Sequence, residues 1–359
     1  PDSRLIITGS DDQTARVWDA RTGKSVCDPL VHGRSLRLTE FGPDGDHVLT
    51  GGTDHTAQVW SVATGTRVGA VLQHEGRVNR GTFSPDGTIV ATGSMDNTAR
   101  LWDVRTGLPM GDPMQHDHYV WRLDFNEKGD RLITGTAGGL AQVWDVGTSH
   151  PVGSPFYHGH HITRVEFSPD EEHVLTISLG ADAGVWSLPA NRPPSQILRH
   201  RFRHGWAIMG GKLRCARFSP DGKTIMTATR TDGVQIWDAL SGDPIGPRLG
   251  GWVGYGAYGA FAAFNPGGNY VVTTKRQGGG SGLGHVAFWN LEEPGVPPNK
   301  LIDHGHFRYT EFSADGEYFL ASTRDGTTHV WKVNDGVPEE KVRVGGGASL
   351  PSDGDTLRA

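Results

Sequence analysis

Apolar and polar positions alternate along this chain in short runs, and the runs recur in a fixed order. Between Arg77 and His116, alternation carries Arg77–Phe83, and a β-branched run fills Ile89–Thr92. Thr98–Trp102 alternates again and ends in a large aromatic, and a last run passes through Pro109–Met114. Period-two patterning of this length predicts half-buried strands. Ser84-Pro85-Asp86-Gly87, Ser94–Asn97 and Arg105-Thr106-Gly107 lie between the runs and supply turns. Proline pre-sets φ there, and glycine accepts positive φ. Helical periodicity appears nowhere at useful length. The unit is therefore four short antiparallel strands, called a, b, c and d.

The unit is copied along the chain. TARVWD at Thr14–Asp19, TAQVWS at Thr56–Ser61, TARLWD at Thr98–Asp103 and LAQVWD at Leu140–Asp145 share one pattern, with weaker copies at Val234–Asp238, Val286–Asn290 and Thr328–Lys332. The strand-c tryptophans are Trp18, Trp60, Trp102, Trp144, Trp186, Trp237, Trp289 and Trp331, spaced by 42 residues except for steps of 51 and 52. A fixed period of this size means one supersecondary unit repeated eight times. With FSPDG turns, a T-G-S-x-D-x-T-A-R-x-W-D core and a histidine fourteen residues after the Trp, the chain resembles the WD-repeat (WD40) β-propeller family over essentially its whole length. The strings T-G-x-P-x-G-x-P and L-x-H resemble bacterial members in particular. In that group the propeller often follows a serine/threonine protein kinase or another signalling domain.

The resemblance implies an all-β propeller of four-stranded antiparallel blades, each carrying a hydrogen-bonded set of His, Ser/Thr, Asp and Trp. Two sets are complete: His32, Thr50, Asp54 and Trp60, then His74, Thr92, Asp96 and Trp102. In the next two, Gly138 and Gly180 replace the Asp beside His116, Thr134, Trp144 and His158, Thr176, Trp186. The first has Thr8, Asp12 and Trp18 without a His. These residues read as structural rather than catalytic. Removing Asp96 is expected to destabilise, whereas Gly138→Asp is expected to be neutral or stabilising.

Blade number follows from counting. Strand a ends at Phe41, Phe83, Phe125, Phe167, Phe218, Phe264 and Phe312, one fewer than the strand-c tryptophans. The Trp18 unit thus lacks its own strand a. Ala348–Gly354 resembles the Phe-Ser-Pro-Asp-Gly end of that strand, so residues 342–351 are expected to pair with Leu5–Thr8 and close an eight-bladed ring; seven blades is the alternative. Closure would remove both open sheet edges. Residues 1–359 read as one propeller domain, and the opening Pro1-Asp2-Ser3, which resembles the middle of a repeat turn, suggests a piece of a longer protein.

Function is expected where the units differ. Lengthened segments fall at Lys275–Gly284, Arg201–Gly211 and Gly250–Gly256, all in b–c or d–a loops and so on one face, called the top. The three tryptophans outside strand c, Trp121, Trp206 and Trp252, belong to that face too. No acidic residue lies between Asp182 and Asp221, a stretch holding Arg192, Arg199, Arg201, Arg203, Lys212, Arg214 and Arg217. Arg37, Arg77, Tyr119, His161, Tyr258 and Arg308 mark other strand-a entrances, and Arg230 and Arg324 the b–c turns. Arginine and aromatic residues anchor interfaces. Arg201, Arg203, Trp206, Lys212, Arg214, Trp121, Tyr119, Trp252, Arg230, Arg308 and Arg324 are accordingly the expected partner-binding residues; the alternative is a solvated rim.

Sharper chemistry finds little support. Gly278–Gly284 has the glycine density of a phosphate loop but no Lys-Ser/Thr, and a strand follows it. The pairs His116/His118, His158/His160/His161 and His304/His306 are spaced like metal ligands, yet no Cys or carboxylate pattern accompanies them. No nucleophile elbow occurs. A net charge of −6 argues against nucleic acid, no apolar run reaches a membrane span, and two cysteines, Cys27 and Cys215, suit a reducing, cytoplasmic setting. The expectation is a non-catalytic, monomeric domain without metal or cofactor. It would bind a protein or peptide, acidic or phosphorylated, as the interaction module of a signalling protein. The alternative is a propeller enzyme or small-molecule binder using the central channel mouth.

Overall fold

In a computed structural model the protein is all-β. The structure describes residues 4–179, 182–188, 196–199, 213–229, 233–249, 262–275, 284–291, 300–304, 307–313, 315–323, 328–334 and 337–344. Among the described residues the strands form eight antiparallel sheets, numbered here in chain order. Sheet 1 has three strands, Leu5–Gly9, Thr14–Asp19 and Leu30–Val31. Each of the others has four in sequence order, as in sheet 3: Val78–Phe83, Ile89–Ser94, Thr98–Asp103 and Pro109–Gln115. Strand a of sheets 2 and 4 to 8 is Leu36–Phe41, Val120–Phe125, Ile162–Phe167, Leu213–Phe218, Ala262–Phe264 and Phe307–Phe312. Among the described residues no helix is long and apolar enough to cross a membrane.

Turn chemistry sets the strand ends. Asp103, after the strand-c Trp, accepts bonds from Thr106 N at 2.8 Å and Thr106 Oγ1 at 2.6 Å, closing the c–d turn. Ser84 Oγ accepts from Ile89 N at 2.9 Å and donates to Asp86, closing the a–b turn, where Gly87 takes φ +72°. These a–b turns stack round the bottom face, Gly87 over Pro43, Gly129 over Pro85 and Gly222 over Pro169. In the fourth position of this turn sheet 5 has Glu171, at φ +59°. Its carboxylate accepts from Asn126 Nδ2 at 3.0 Å and Lys128 N at 3.1 Å and pairs with the Lys128 ammonium, so it ties its turn to the preceding one. At the outer rim, Ala70 N donates to Thr106 O of the next sheet at 2.9 Å. The neighbouring Gly69 must be glycine, since a Cβ would lie 2.7 Å from Gly107 N.

Every apolar cluster lies between two sheets. Leu38, Leu49, Val59 and Leu72 of sheet 2 meet Val78, Phe83, Val90 and Trp102 of sheet 3, and the same scheme recurs for each successive pair. An eighth cluster joins Ile6 of sheet 1 to Leu320 and Val330 of sheet 8. Strands a of sheets 2 to 6 pack directly one against the next, as do those of sheets 7 and 8, which puts them on the inner side of the sheets. The tail departs from expectation. Val337–Val344 is strand d of sheet 8, with Val342, Arg343 and Val344 opposite Val330, His329 and Thr328 rather than opposite Leu5–Thr8. A hairpin partner a few residues away costs little loop entropy, and it claims these residues first. Residues 345–351 lie outside the described residues.

Candidate interaction surface

The repeated His, Thr, Asp and Trp form a directed chain of hydrogen bonds. In the third unit Trp102 Nε1 donates to Thr92 Oγ1 at 2.7 Å, Thr92 Oγ1 meets His74 Nε2 at 2.7 Å, and His74 Nδ1 meets Asp96 Oδ2 at 2.8 Å. Indole can only donate and carboxylate only accept, so the threonine hydroxyl donates to Nε2 and the imidazole carries its proton on Nδ1. Trp60, Thr50, His32 and Asp54 repeat this at 2.6, 2.6 and 3.2 Å. Each histidine follows strand d of one sheet and bonds into the next, so the set fastens sheet to sheet. Burial alone would raise the Asp96 pKa, but bonds from His74, Thr98 and Glu75 hold it well below the usual carboxylate range. Burial lowers the His32 pKa despite Asp54. These groups are saturated by structural bonds, which leaves them unsuited to acid–base work.

In the fourth unit a Cβ on exposed Gly138 would overlap the ring of His118, itself exposed, so an aspartate there needs that ring to move. Trp144 Nε1 still donates to Thr134 Oγ1 at 2.9 Å, but His116 Nε2 is buried without a partner. Burial pushes the His116 pKa down to about 4. His116 instead meets Trp144 edge to face, with ring centroids 5.2 Å apart.

The top end of the inner strands carries a feature that alternation alone did not predict. Strand a is bulged at its second residue in six sheets, at Arg37, Asn79, Trp121, Thr163, Arg214 and Arg308. A signal was present: Val120, Leu123 and Phe125, like Ile162, Val165 and Phe167, space their apolar positions by three and then two. A bulge frees a side chain from the ladder and re-aims it. Trp121 meets His161 of the next sheet edge to face at 5.1 Å, and Arg122 bridges the bulges by donating to Trp121 O at 2.9 Å and Thr163 O at 2.6 Å. Tyr119 stands 43% exposed beside them, and Leu179, whose N–H bonds His161 O, is 41% exposed. Burial and the Arg122 charge lower the His161 pKa.

Other expected contact residues are reached only in part. Arg214 and Arg308 fall on strands a of sheets 6 and 8. Arg201, Arg203, Trp206, Lys212, Arg230, Trp252 and Arg324 lie outside the described residues. Among the described residues no group of three or more His, Cys, Asp or Glu is arranged to hold a metal ion.

Comparison with known proteins agrees with this geometry. The family profile "WD domain, G-beta repeat" matches residues 1–19, 31–61, 65–103, 111–145, 202–238 and 297–332, more than half of the chain. No curated protein matches. Among solved structures, the crystal structure of the computationally designed Ika8 protein superposes with a TM-score of 0.73 at 23% identity, covering 93% of this chain and 94% of that one; at this identity the likeness is one of fold. The repeated units, their tryptophan-centred bond chains and the profile converge: this chain belongs to the WD40 repeat family.

Proposed function

We propose that the protein is a non-catalytic interaction scaffold that binds a protein or peptide on its top face. The observation that carries this is the contrast between its polar groups. The histidines and aspartates of the complete repeats are consumed in bonds between sheets, whereas Tyr119, Trp121 and His161 gather where bulges turn side chains outward. Rigid aromatic side chains on a preformed scaffold are efficient contacts. The partner segment in this reading is acidic or phosphorylated, with Arg201, Arg203, Lys212 and Arg214 as electrostatic anchors and Trp206 as the apolar contact. The domain works as a cytoplasmic, monomeric module of a signalling protein. The eight sheets are eight blades of one ring, and residues after 344 supply the missing inner strand of sheet 1; the packing of Ile6 on Leu320 and Val330 supports this.

The test reverses Arg201, Arg203, Lys212 and Arg214 to Glu and compares capture of purified binding partners by the two proteins. Binding should fall steeply, and wild-type affinity should weaken with added salt. Equal capture by both, with Trp206→Ala also unaffected, overturns the anchor assignment. Deleting residues 345–359 should lower the melting temperature if they cover the strand edge at Leu5–Gly9; an unchanged melt refutes closure by the tail.

A further inference from the structure

Two of the a–b turns on the bottom face open with asparagine, and their surroundings differ in a telling way. In sheet 4 the turn begins at Asn126. Arg131 N donates to Asn126 Oδ1 at 2.8 Å, and Asn126 Nδ2 donates to Asp130 Oδ1 at 2.6 Å and to Glu171 Oε1 of sheet 5 at 3.0 Å. Lys128 N and the Lys128 ammonium complete the hold on the Glu171 carboxylate. In sheet 7 the turn begins at Asn265, and the first half of this arrangement repeats. Tyr270 N donates to Asn265 Oδ1 at 2.8 Å, and Asn265 Nδ2 donates to Asn269 Oδ1 at 2.8 Å. The second half does not repeat. By position in the turns, Gly267 stands for Lys128, Asn269 for Asp130 and Gly316 of sheet 8 for Glu171, so uncharged residues hold all three places.

Beside Gly316 lies a cavity of about 310 Å³, with Asn265 and Asn269 on its polar side and Tyr270, Phe288, Phe312 and Val333 on its other side. This junction is closed less tightly than others. Val104 and Val146, two residues after their strand-c Trp, are buried, whereas Val333 in the same position is only partly so. One proton of Asn265 Nδ2 is spent inside the turn, and the other meets no acceptor among the described residues. Asn269 Oδ1 accepts that one bond and keeps a second lone pair. A Cβ on Gly267 would stand 3.2 Å from Asn269 Oδ1 and 3.3 Å from Asn265 Nδ2, so an acceptor and a donor lie side by side next to a residue without a side chain. A primary carboxamide presents the complementary pair, C=O next to N–H. A carboxylate has acceptors only: it would set one oxygen against Asn269 Oδ1, without the ammonium that Lys128 supplies in sheet 4. We propose that the cavity between sheets 7 and 8 binds small uncharged molecules that carry a primary carboxamide on an apolar body. The carbonyl oxygen accepts from Asn265 Nδ2, the amide nitrogen donates to Asn269 Oδ1, and the apolar part enters toward Val333 and Phe312. The site is on the bottom face and stands independently of the top-face reading.

Benzamide, benzoate and methyl benzoate test this by saturation-transfer NMR titration of the intact chain at neutral pH. Benzamide should bind about tenfold more tightly than either analogue, because benzoate is charged and donates nothing, and the ester is neutral but donates nothing. Asn265→Ser should remove most of the benzamide binding. Serine opens the same turn in sheets 3, 5, 6 and 8, where Ser84, Ser168, Ser219 and Ser313 each accept from the backbone N–H five residues on, so this variant should melt like wild type. Val333→Phe keeps both asparagines and narrows the apolar side, and it too should weaken benzamide. Thermal melts of both variants verify that they are folded. The proposal is overturned if benzamide binds no more tightly than its analogues, or if either folded variant binds it as well as wild type does.

Discussion

Replacing Asp96 with alanine measures what one bond chain contributes. The carboxylate accepts from His74 Nδ1 at 2.8 Å, Glu75 N at 3.0 Å, Thr98 N at 2.9 Å and Thr98 Oγ1 at 2.7 Å. The His74 side chain is 0% exposed and Thr98 is 5% exposed, so their donors cannot turn to water, whereas Glu75 is exposed and can. Counting the His74 and Thr98 donors and omitting Glu75 gives a loss of about 3 kcal/mol. Spread over the unfolding entropy of a chain this long, that is a fall of about 4 °C in Tm. Asp12 provides the contrast. It accepts from Thr14 N at 2.9 Å and Thr14 Oγ1 at 2.7 Å at an exposed turn, so Asp12→Ala should cost under about 1 kcal/mol. Urea and thermal melts of the two variants at neutral pH decide. Equal losses, or an Asp96→Ala protein as stable as wild type, would refute the claim that burial of the donors sets the magnitude.

Gly138→Asp should cost under about 1 kcal/mol, because the exposed His118 ring that overlaps its Cβ can turn into solvent, and His118→Ala in the same chain should remove that loss in a double-mutant cycle. His116, held down to about 4 by burial, binds a proton less readily folded than unfolded. Its contribution is therefore complete above its unfolded pKa of about 6.5 and is lost as pH falls toward 4; melts across that window should be flatter for His116→Phe than for wild type. Glu171→Ala should be less stable than Glu171→Gly by about 1 kcal/mol in denaturant midpoint experiments, since both lose the Lys128 and Asn126 bonds but only glycine relieves the positive φ.

The period of 42 was legible because each copy keeps the same internal distances. Trp18, Trp60, Trp102, Trp144, Trp186 and Trp237 each bond a threonine ten residues earlier, a separation fixed by the b–c hairpin. Departures from the repeat were harder to read. Gly138 looks like an empty aspartate site in one dimension, and only the fold shows that a histidine twenty residues upstream has moved into it. Glu171 breaks the glycine rule of its turn because two neighbours in another sheet repay the strain, and no local pattern encodes them. The start of the expected closing strand departs because pairing is competitive: Val342–Val344 had a nearer partner in sheet 8, while Ala348–Gly354 lies outside the described residues.

The aspartates of the first three repeats have a second effect that their hydrogen bonds do not show. Held ionised, Asp12, Asp54 and Asp96 fix negative charge at the top of sheets 1, 2 and 3. The corresponding positions in the next three units are Gly138, Gly180 and Thr231, which carry none, and the stretch without acidic residues falls in that same half of the sequence. Losing an aspartate from a repeat thus does more than weaken one fastening: it removes a charge from the b–c turn of that repeat. The pattern of kept and lost aspartates makes the b–c turns of the first three units more acidic than the matching positions of the next three, an asymmetry whose field extends beyond contact distance.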